Sequence, residues 1–586
     1  MWWRPQWGVV LMQSHRSQLR EWALLDALGI VAGIAGGLGA VVFRHIISMN
    51  RQLFFRIILP QLRLDILGYN LGVALLPALG GLIVGPLTLK FAPETKGHGV
   101  PEVMEAVALR GGLIRKRVAL LKVCVSSITI GSGGSAGREG PIAQIGAAIG
   151  SLIGQLLELP PRSMRLLVVC GLSAGIAGTF NAPLGGALFG MEVLLRGIGP
   201  YNAIPVLLSS VIGAAVAASF LGQKPSFTTP PVTYWSPYEL PLYVLLGAIF
   251  GLLAVAWVKL FYAVEDAFER LRIHPYLKPA VGGLAAGILA LPFLGYGIMG
   301  VGYEGIDRAL SGALPPHLLL PLGFFKMLAT AFTLGSGGSG GVFAPSLYIG
   351  CMFGTALGLA YRQLFPNLVE HPFTYSLAGM AALFAGAAQA PLNVIIMIPE
   401  MSGDYALIPP LMASSAASFI VSRLILKGSS IYTLKLERRG VSLRMGRYFN
   451  LDLLRVSDVM TRSVITVSPD TPLTVLEILF REQGYAGYPV IEDGRLVGIV
   501  TLKDLARVPP EARHKLRVRD VASTRLVVAY PDETLYEALH KMVEHNVSRL
   551  PVVERGEPQK LIGIISRTDI LRALRRVVCG PEDVLP

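Results

Sequence analysis

Two glycine-rich loops carry the groups best placed to do chemistry. Gly131–Pro141 reads GSGGSAGREGP and Gly335–Pro345 reads GSGGSGGVFAP. Each run of small residues leaves backbone N–H groups bare and closes on a proline, which suits the first turn of a helix. An apolar helical pattern follows in both cases, Ile142–Leu156 after the first. A helix N-terminus carries roughly half a positive charge together with unpaired N–H donors, so it attracts anions. Two such termini meeting would hold a small anion on partial charges, with no fixed lysine beside it. Partial charges bind less tightly than a full one, and conduction needs release as well as binding.

The elements that must position these loops are apolar. Of 586 residues, 52% are hydrophobic and 15% charged, against about 25% charged for a soluble average, and mean hydropathy is +0.56. The charge is uneven: about 28% of residues 451–586 are Asp, Glu, Lys or Arg, against about 12% of the first 450. A membrane body followed by a soluble tail fits this split and excludes a soluble enzyme. Ala27–Phe43, Val206–Leu221 and Leu240–Val258 are uncharged and near the roughly 20 residues that span a bilayer. Shorter apolar stretches between them are broken by Gly and Pro. Irregular backbone at membrane depth is tolerated only where it is buried in protein or lines a polar cavity, so the breaks point to a pathway.

The net charge of +14 sits beside the spans and predicts no nucleic-acid partner. Arg115, Lys116 and Arg117, then Arg423, Lys427, Lys435, Arg438, Arg439, Arg444 and Arg447, flank apolar segments. Basic flanks mark cytoplasmic loops, which places the tail in the cytosol. Residues 1–20 read as a cytosolic amphipathic lead-in without a cleaved signal. Cys124, Cys170 and Cys351 sit in apolar surroundings and, with Cys579, lack paired or metal-like spacing, so buried reduced thiols are expected.

The membrane part repeats itself. Pro77–Leu82 (PALGGL) recurs as Pro279–Leu284 (PAVGGL), Gly97-His98-Gly99 as Gly300-Val301-Gly302, and Lys122 with Gly131–Pro141 as Lys326 with Gly335–Pro345. Ala182-Pro183-Leu184 and Glu192 recur as Ala390-Pro391-Leu392 and Glu400, the offset growing slowly from 202 to 208. A repeat with an odd number of crossings has its second copy inverted, which brings like loops together at mid-membrane from opposite sides. The fold predicted is a polytopic α-helical membrane protein over 21–430, with repeat halves 21–222 and 238–430, a linker at 431–454 and a cytosolic α/β pair at 455–510 and 516–578. The tail repeat aligns Asp458, Pro469 and Pro489 with Asp520, Pro531 and Pro551, and Thr501–Asp504 with Ser566–Asp569. Each copy predicts a helix (Leu473–Gln483; Leu535–Asn546) and two strands (Tyr488–Ile491 and Leu496–Thr501; Leu550–Val553 and Leu561–Ile565).

GHGVPE (Gly97–Glu102), GREGP (Gly137–Pro141), GVFAP (Gly341–Pro345) and Tyr432, in this order and spacing, resemble the CLC family of chloride channels and proton-coupled chloride exchangers. The likeness covers essentially the whole membrane part, and the tail resembles the paired CBS domains that many members carry. The resemblance implies that Glu139 is a gate whose carboxylate occupies an anion site and swings out when protonated or displaced. An intramembrane carboxylate costs about 2.5–3.5 kcal/mol even on the lenient insertion scale, so it needs the loop donors and competes with the anion for them. By the same resemblance the amides of Val342 and Phe343 hold the central anion, those of Glu139 and Gly140 an outer one, and Tyr432 donates its hydroxyl from the inner side. Arg138, Lys122 and Lys326 read as salt-bridged structural cations.

Two positions depart from the family pattern. His98 stands where an inner serine hydroxyl is common, so its N–H, or only the neighbouring glycine backbone, faces the anion. Counting from Pro183, Glu192 takes the place of the first of two paired acids and Val193 that of the inner proton relay. Valine carries no proton, so passive conduction of chloride or a similar anion leads. A chloride/proton exchanger is the alternative, and a CBS-regulated divalent-cation transporter the remote one, since cation sites want clustered carboxylates. The resemblance further implies a homodimer in the cell membrane. In the tail, Thr501/Asp504 and Ser566/Asp569 match the Ser/Thr and Asp that hold an adenine nucleotide's ribose in CBS pairs, and are equally ordinary N-caps. Arg513, Lys515, Arg517 and Arg519 read as phosphate partners or as a solvated linker. No catalytic constellation appears in the tail, and no cofactor is required.

Overall fold

The computed structural model describes residues 7–62, 64–66, 68–195, 200–223, 225–227, 236–439 and 454–579. Trp2, Trp3 and Arg4 of the lead-in, and Arg444 and Arg447 of the linker, lie outside the described residues. The chain divides into two compact units, Met1–Leu443 and Arg444–Pro586.

The first unit is a run of helices: α1 (Trp7–Gln52), α2 (Gly72–Phe91), α3 (Val100–Leu109), α4 (Arg117–Gly131), α5 (Glu139–Leu156), α6 (Pro161–Phe180), α7 (Pro183–Phe189) and α8 (Pro200–Leu221). The second half answers with α9 (Leu240–Arg270), α10 (Lys278–Ala290), α11 (Tyr303–Leu310), α12 (Pro316–Gly335), α13 (Phe343–Leu364), α14 (Thr374–Ala388), α15 (Pro391–Ser402) and α16 (Ile408–Leu426), and α17 (Thr433–Arg438) follows. Among the described residues, nine helices are long and apolar enough to cross a membrane. The three uncharged spans read from sequence fall in α1, α8 and α9. Packing repeats with the sequence: α1 lies on α6 and α8 as α9 lies on α14 and α16, and α5 lies on α6 as α13 lies on α14.

The halves are related by a two-fold operation, and the equivalent helices α2 and α10 show its sense. Gly85 abuts Tyr276, Gly81 abuts Pro279, Gly283 abuts Pro77 and Gly287 abuts Ala74. Numbers rise along one helix as they fall along the other, so equivalent spans run antiparallel and the repeat is inverted. Small residues let the two backbones approach; a Cβ on Gly287 would lie 2.7 Å from Ala74 Cα.

The second unit follows its predicted order. Helices Leu473–Gln483 and Leu535–Glu544 and strands Gly487–Glu492, Arg495–Thr501, Arg549–Glu554 and Glu557–Ser566 occupy the expected places, and each strand pair is antiparallel. Alternating residues bury one strand face against the helix of the same copy, as with Leu476, Tyr488, Val490 and Val500.

Cys170 and Cys351 are buried free thiols, whereas Cys124 is only half-buried. Its helix, α4, also exposes Leu120, so that part of its surface is uncovered.

Candidate functional site

The glycine loops end in helices α5 and α13, whose N-caps are Arg138 and Val342. Both helices carry proline at the third position, Pro141 and Pro345, so the first intrahelical bonds run from Ile142 N–H to Arg138 O at 3.1 Å and from Ser346 N–H to Val342 O at 3.0 Å. The preceding amides have no partner inside their own helix. A left-handed turn aims each loop: Gly133 has φ 102° and its repeat equivalent Gly337 has φ 113°, which side chains with a Cβ resist.

The two loops meet. Gly137 N–H donates to Gly341 O at 2.8 Å and Gly341 N–H to Gly137 O at 2.7 Å. Ser135 N–H donates to Thr333 Oγ1 at 3.1 Å, and Ser339 N–H to Thr129 Oγ1 at 3.3 Å, the same bond in each half. At this junction Glu139, 2% exposed, crosses to the other helix. Its Oε1 accepts from Phe343 N–H at 2.6 Å and Ala344 N–H at 3.1 Å. Its Oε2 is buried with no partner among the described residues. A Cβ on Gly137 or Gly341 would collide with this carboxylate, which explains the glycines there.

The Glu139 carboxylate is held by the Phe343 and Ala344 amides, and Val342, expected with Phe343 to hold the central anion, stands one position before them. Val342 is the N-cap residue, and the donors belong to the first two helical positions, before the proline nitrogen that cannot donate. Gly140 packs beside them: a Cβ there would lie 3.1 Å from Gly341 Cα and collide with the His98 carbonyl.

His98 is 1% exposed, and neither ring nitrogen has a partner among the described residues. Its ring centroid lies 5.8 Å from Tyr432 and 5.7 Å from Phe261. Tyr432, 1% exposed, is anchored through its neighbour: Ile431 N–H donates to Ala387 O at 2.8 Å and Ile431 O accepts from Tyr262 Oη–H at 2.6 Å. A buried ion pair between Lys435 Nζ and Glu102 Oε1 at 2.7 Å ties the helix after Tyr432 to the helix after His98. Sequence reading gave this pair no role, because its partners are over 300 residues apart.

Lys122, Lys326 and Arg138 have no carboxylate partner among the described residues, contrary to the sequence expectation. Lys122 Nζ donates to Thr95 O at 2.9 Å and Gly97 O at 3.0 Å. Lys326 Nζ donates to Gly297 O, Ile298 O and Gly300 O at 2.9, 3.1 and 3.0 Å. Turning loop carbonyls onto an ammonium satisfies both without burying a second charge. Arg138 lies over the rings of Tyr303 and Phe180, 5.2 and 5.8 Å from their centroids, and donates to Thr179 O at 3.4 Å.

Glu192 and Glu400 are reciprocal helix caps. Glu192 accepts from Leu392 N–H at 3.1 Å and Asn393 N–H at 2.7 Å, while Glu400 accepts from Leu184 N–H at 2.9 Å and Gly185 N–H at 2.6 Å. Val193 is buried at 5% exposure.

In the tail, Asp504 Oδ2 accepts from Thr501 N–H and Oγ1–H at 2.9 and 2.6 Å, and Asp569 Oδ2 from Ser566 N–H and Oγ–H at 2.9 and 2.6 Å. Both pairs close the start of a helix. Ser566 and Asp569 also line a cavity of about 480 Å³ with Ser463, Tyr485, Arg549 and Arg572. Of the basic run, Arg513 pairs with Glu477 at 2.7 Å, and Arg517 and Arg519 both pair with Asp470, which leaves them poor phosphate partners. Among the described residues no three His, Cys, Asp or Glu side chains gather as a metal site would need.

An inverted helical repeat with two helix N-termini converging on one buried carboxylate defines a multi-pass membrane protein of the anion-transporting kind. The voltage gated chloride channel family matches residues 80–423 and the CBS domain matches 456–511 and 518–576; the chain belongs to the CLC family, with a CBS pair after the membrane domain. It is 32% identical over 448 residues to the H(+)/Cl(-) exchange transporter ClcA of Vibrio vulnificus, covering 74% of this chain and 93% of that one. Chloride channel protein CLC-f of Arabidopsis thaliana is 27% identical over 645 residues, covering 95% and 81%. Among solved structures, a slow cyanobacterial Cl-/H+ antiporter superposes with TM-score 0.65 at 27% identity, over 71% of this chain and 97% of that one. A eukaryotic CLC transporter shares the fold over 93% of this chain and 97% of its own, with TM-score 0.59 at 23% identity.

Proposed function

We propose that this protein conducts chloride or a similar small anion through a pathway gated by Glu139, without obligatory proton movement. The observation that carries the reading is the Glu139 carboxylate seated on the Phe343 and Ala344 amides. A carboxylate oxygen and a chloride ask for the same donors, so the side chain is a competitor that leaves when protonated or displaced. Gly140 and the N-cap Val342 border the site, and His98 and Tyr432 form the inner constriction, where a neutral imidazole N–H and a phenol can each donate to a passing anion.

Passive conduction is favoured by Val193, and by Glu192, whose two oxygens are held on the α15 N-terminus. Chloride/proton exchange is the second reading, favoured by the names of two relatives, the ClcA exchange transporter and the cyanobacterial antiporter. Purified protein in vesicles decides between them. With a chloride gradient imposed, the account expects chloride flux with no uphill proton movement; protons pumped in proportion to chloride would overturn the channel reading.

The basic flanks support a tail in the cytosol and a Tyr432 mouth on the cytosolic side, and membership of the CLC family supports a homodimer with one pathway per subunit. The tail cavity, with Arg549 and Arg572 beside Ser566 and Asp569, suits an adenine nucleotide, and the CBS pair is then a regulator. The Thr501/Asp504 pair acts as a cap. Calorimetry of the full chain should show AMP, ADP or ATP binding that Asp569→Ala weakens about tenfold, as for loss of one charge-assisted contact. Binding that survives this change but fails in Asp504→Ala would move the site to the first copy.

A further inference from the structure

A cavity of about 520 Å³ opens beside the gate, lined by Arg44, Arg51, Arg138, Arg308, Tyr303 and Glu304 among others. Neither His98 nor Tyr432 lines it. Its floor is the 297–302 loop, whose repeat equivalent is the loop bearing His98, so the two-fold operation places it at the opposite mouth of the pathway. A second cavity of about 170 Å³ continues past Arg44, Arg138 and Tyr303.

The cavity is short of negative charge. Its lining carboxylate, Glu304, is paired with Arg51 at 2.7 Å. No carboxylate pairs with Arg44, Arg138 or Arg308 among the described residues. Arg138 is adjacent in sequence to Glu139, and the Glu139 carboxylate is turned away onto α13. Arg138 and Tyr303 lie against each other, and Arg138 Nε and Tyr303 Oη are buried with no well-formed hydrogen bond among the described residues. Buried donors in native proteins are nearly always satisfied, so a pair without a well-formed bond in a positive chamber marks the place of an absent acceptor.

We propose that this mouth binds a polyvalent oxyanion of the sulfate or phosphate class. A guanidinium presents a planar fork that matches two oxygens of one anion at once, whereas a spherical halide takes one donor direction at a time. The chamber is also far larger than a bare halide needs, while the Phe343 and Ala344 amides converge on one atom. The two sites therefore select differently: the amide site takes the small permeant ion, and the arginine chamber takes a larger anion that does not pass. An oxyanion held by Arg138 stands one residue from the gate, so it obstructs chloride entering from this side.

Sodium sulfate is the probe. The full chain in detergent should bind sulfate by calorimetry, and Arg44→Ala/Arg308→Ala should weaken binding at least ~10-fold, the cost of about 1.4 kcal/mol. The lysine double variant should recover only part, having the charge but not the fork. Glu139→Gln, which removes a neighbouring negative charge, should bind sulfate at least as tightly as the wild type, which separates this site from the gate. In vesicles, sulfate should slow chloride efflux, and the alanine double variant should need about tenfold more sulfate for the same effect. The effect on flux rests on the Glu139 pathway; the binding does not. Absence of sulfate binding, or affinity unchanged in the alanine double variant, would overturn the proposal. So would binding lost in Arg549→Ala, which would put the anion in the tail cavity.

Discussion

Glu139→Gln is expected to remove gating and raise chloride occupancy of the amide site. The native carboxylate holds two N–H donors, from Phe343 and Ala344, in a buried setting. Bonds to a charged acceptor contribute about 1.5–3 kcal/mol each and neutral ones about 0.5–1.5, so neutralising the acceptor forgoes roughly 2 kcal/mol over the pair. That difference passes to the competing ion, on the order of a 30-fold gain in apparent chloride affinity. The amide side chain mimics the protonated acid, so chloride flux in the variant should lose its dependence on pH while the wild type opens in acid. Stopped efflux from vesicles between pH 4.5 and 7.5, as a range about the usual carboxylate and imidazole values, reads both effects. A variant that kept wild-type pH dependence would show that another group gates the pathway.

The second large effect concerns the loops. Lys326→Met should destabilise the membrane domain by roughly 2–4 kcal/mol, and Lys122→Met by less. The asymmetry comes from the carbonyls. Thr95 O also accepts from Ser339 Oγ–H at 2.7 Å, and Gly97 O also accepts from Gly340 N–H at 3.3 Å. Both keep a donor when Lys122 is removed. Of the three carbonyls on Lys326, only Gly300 O has a further donor among the described residues, Ala136 N–H at 3.3 Å. Gly297 O and Ile298 O would be left buried and unpaired, at about 1–3 kcal/mol each, partly offset because an ammonium need no longer be buried. Thermal unfolding of the detergent-solubilised protein should rank the variants in that order. Equal losses would mean that the lysines matter through charge alone.

The meeting of the two glycine loops was legible in the sequence because glycine, proline and repetition are local signals. Bare N–H groups before a proline in the first turn fix a donor-rich helix start, and two such starts at matching offsets fix a pair. Where the Glu139 carboxylate rests was not legible. Its place on the Phe343 and Ala344 amides depends on where α13 begins and on the Gly137–Gly341 bridge between loops some 200 residues apart. The partners of Lys122, Lys326 and Arg138 escaped for a related reason. Cations in apolar sequence suggest carboxylates, yet the membrane interior offered loop carbonyls and aromatic faces, which cost less to bury.

Glu192 was legible as a repeat position but not as a cap. Its hydrogen-bond partners lie on α15, and only the two-fold operation shows that Glu400 returns the same bonds to α7. The tail was the most legible part, since alternating strands and amphipathic helices fall within one short repeat. Its Thr501/Asp504 and Ser566/Asp569 pairs show the limit: one spacing serves a cap and a ribose contact alike, and both pairs close the start of a helix. The arginine chamber was invisible for the opposite reason. Arg44, Arg138 and Arg308 come from three distant segments and share no motif.

Diffraction from crystals soaked in bromide, which replaces chloride and scatters anomalously, tests the central claim most directly. In Glu139→Gln crystals a bromide peak should lie within hydrogen-bond reach of the Phe343 and Ala344 amides, where wild-type crystals at neutral pH show the carboxylate. No anomalous peak between those two helix starts, in a variant whose carboxylate charge is gone, would contradict the account.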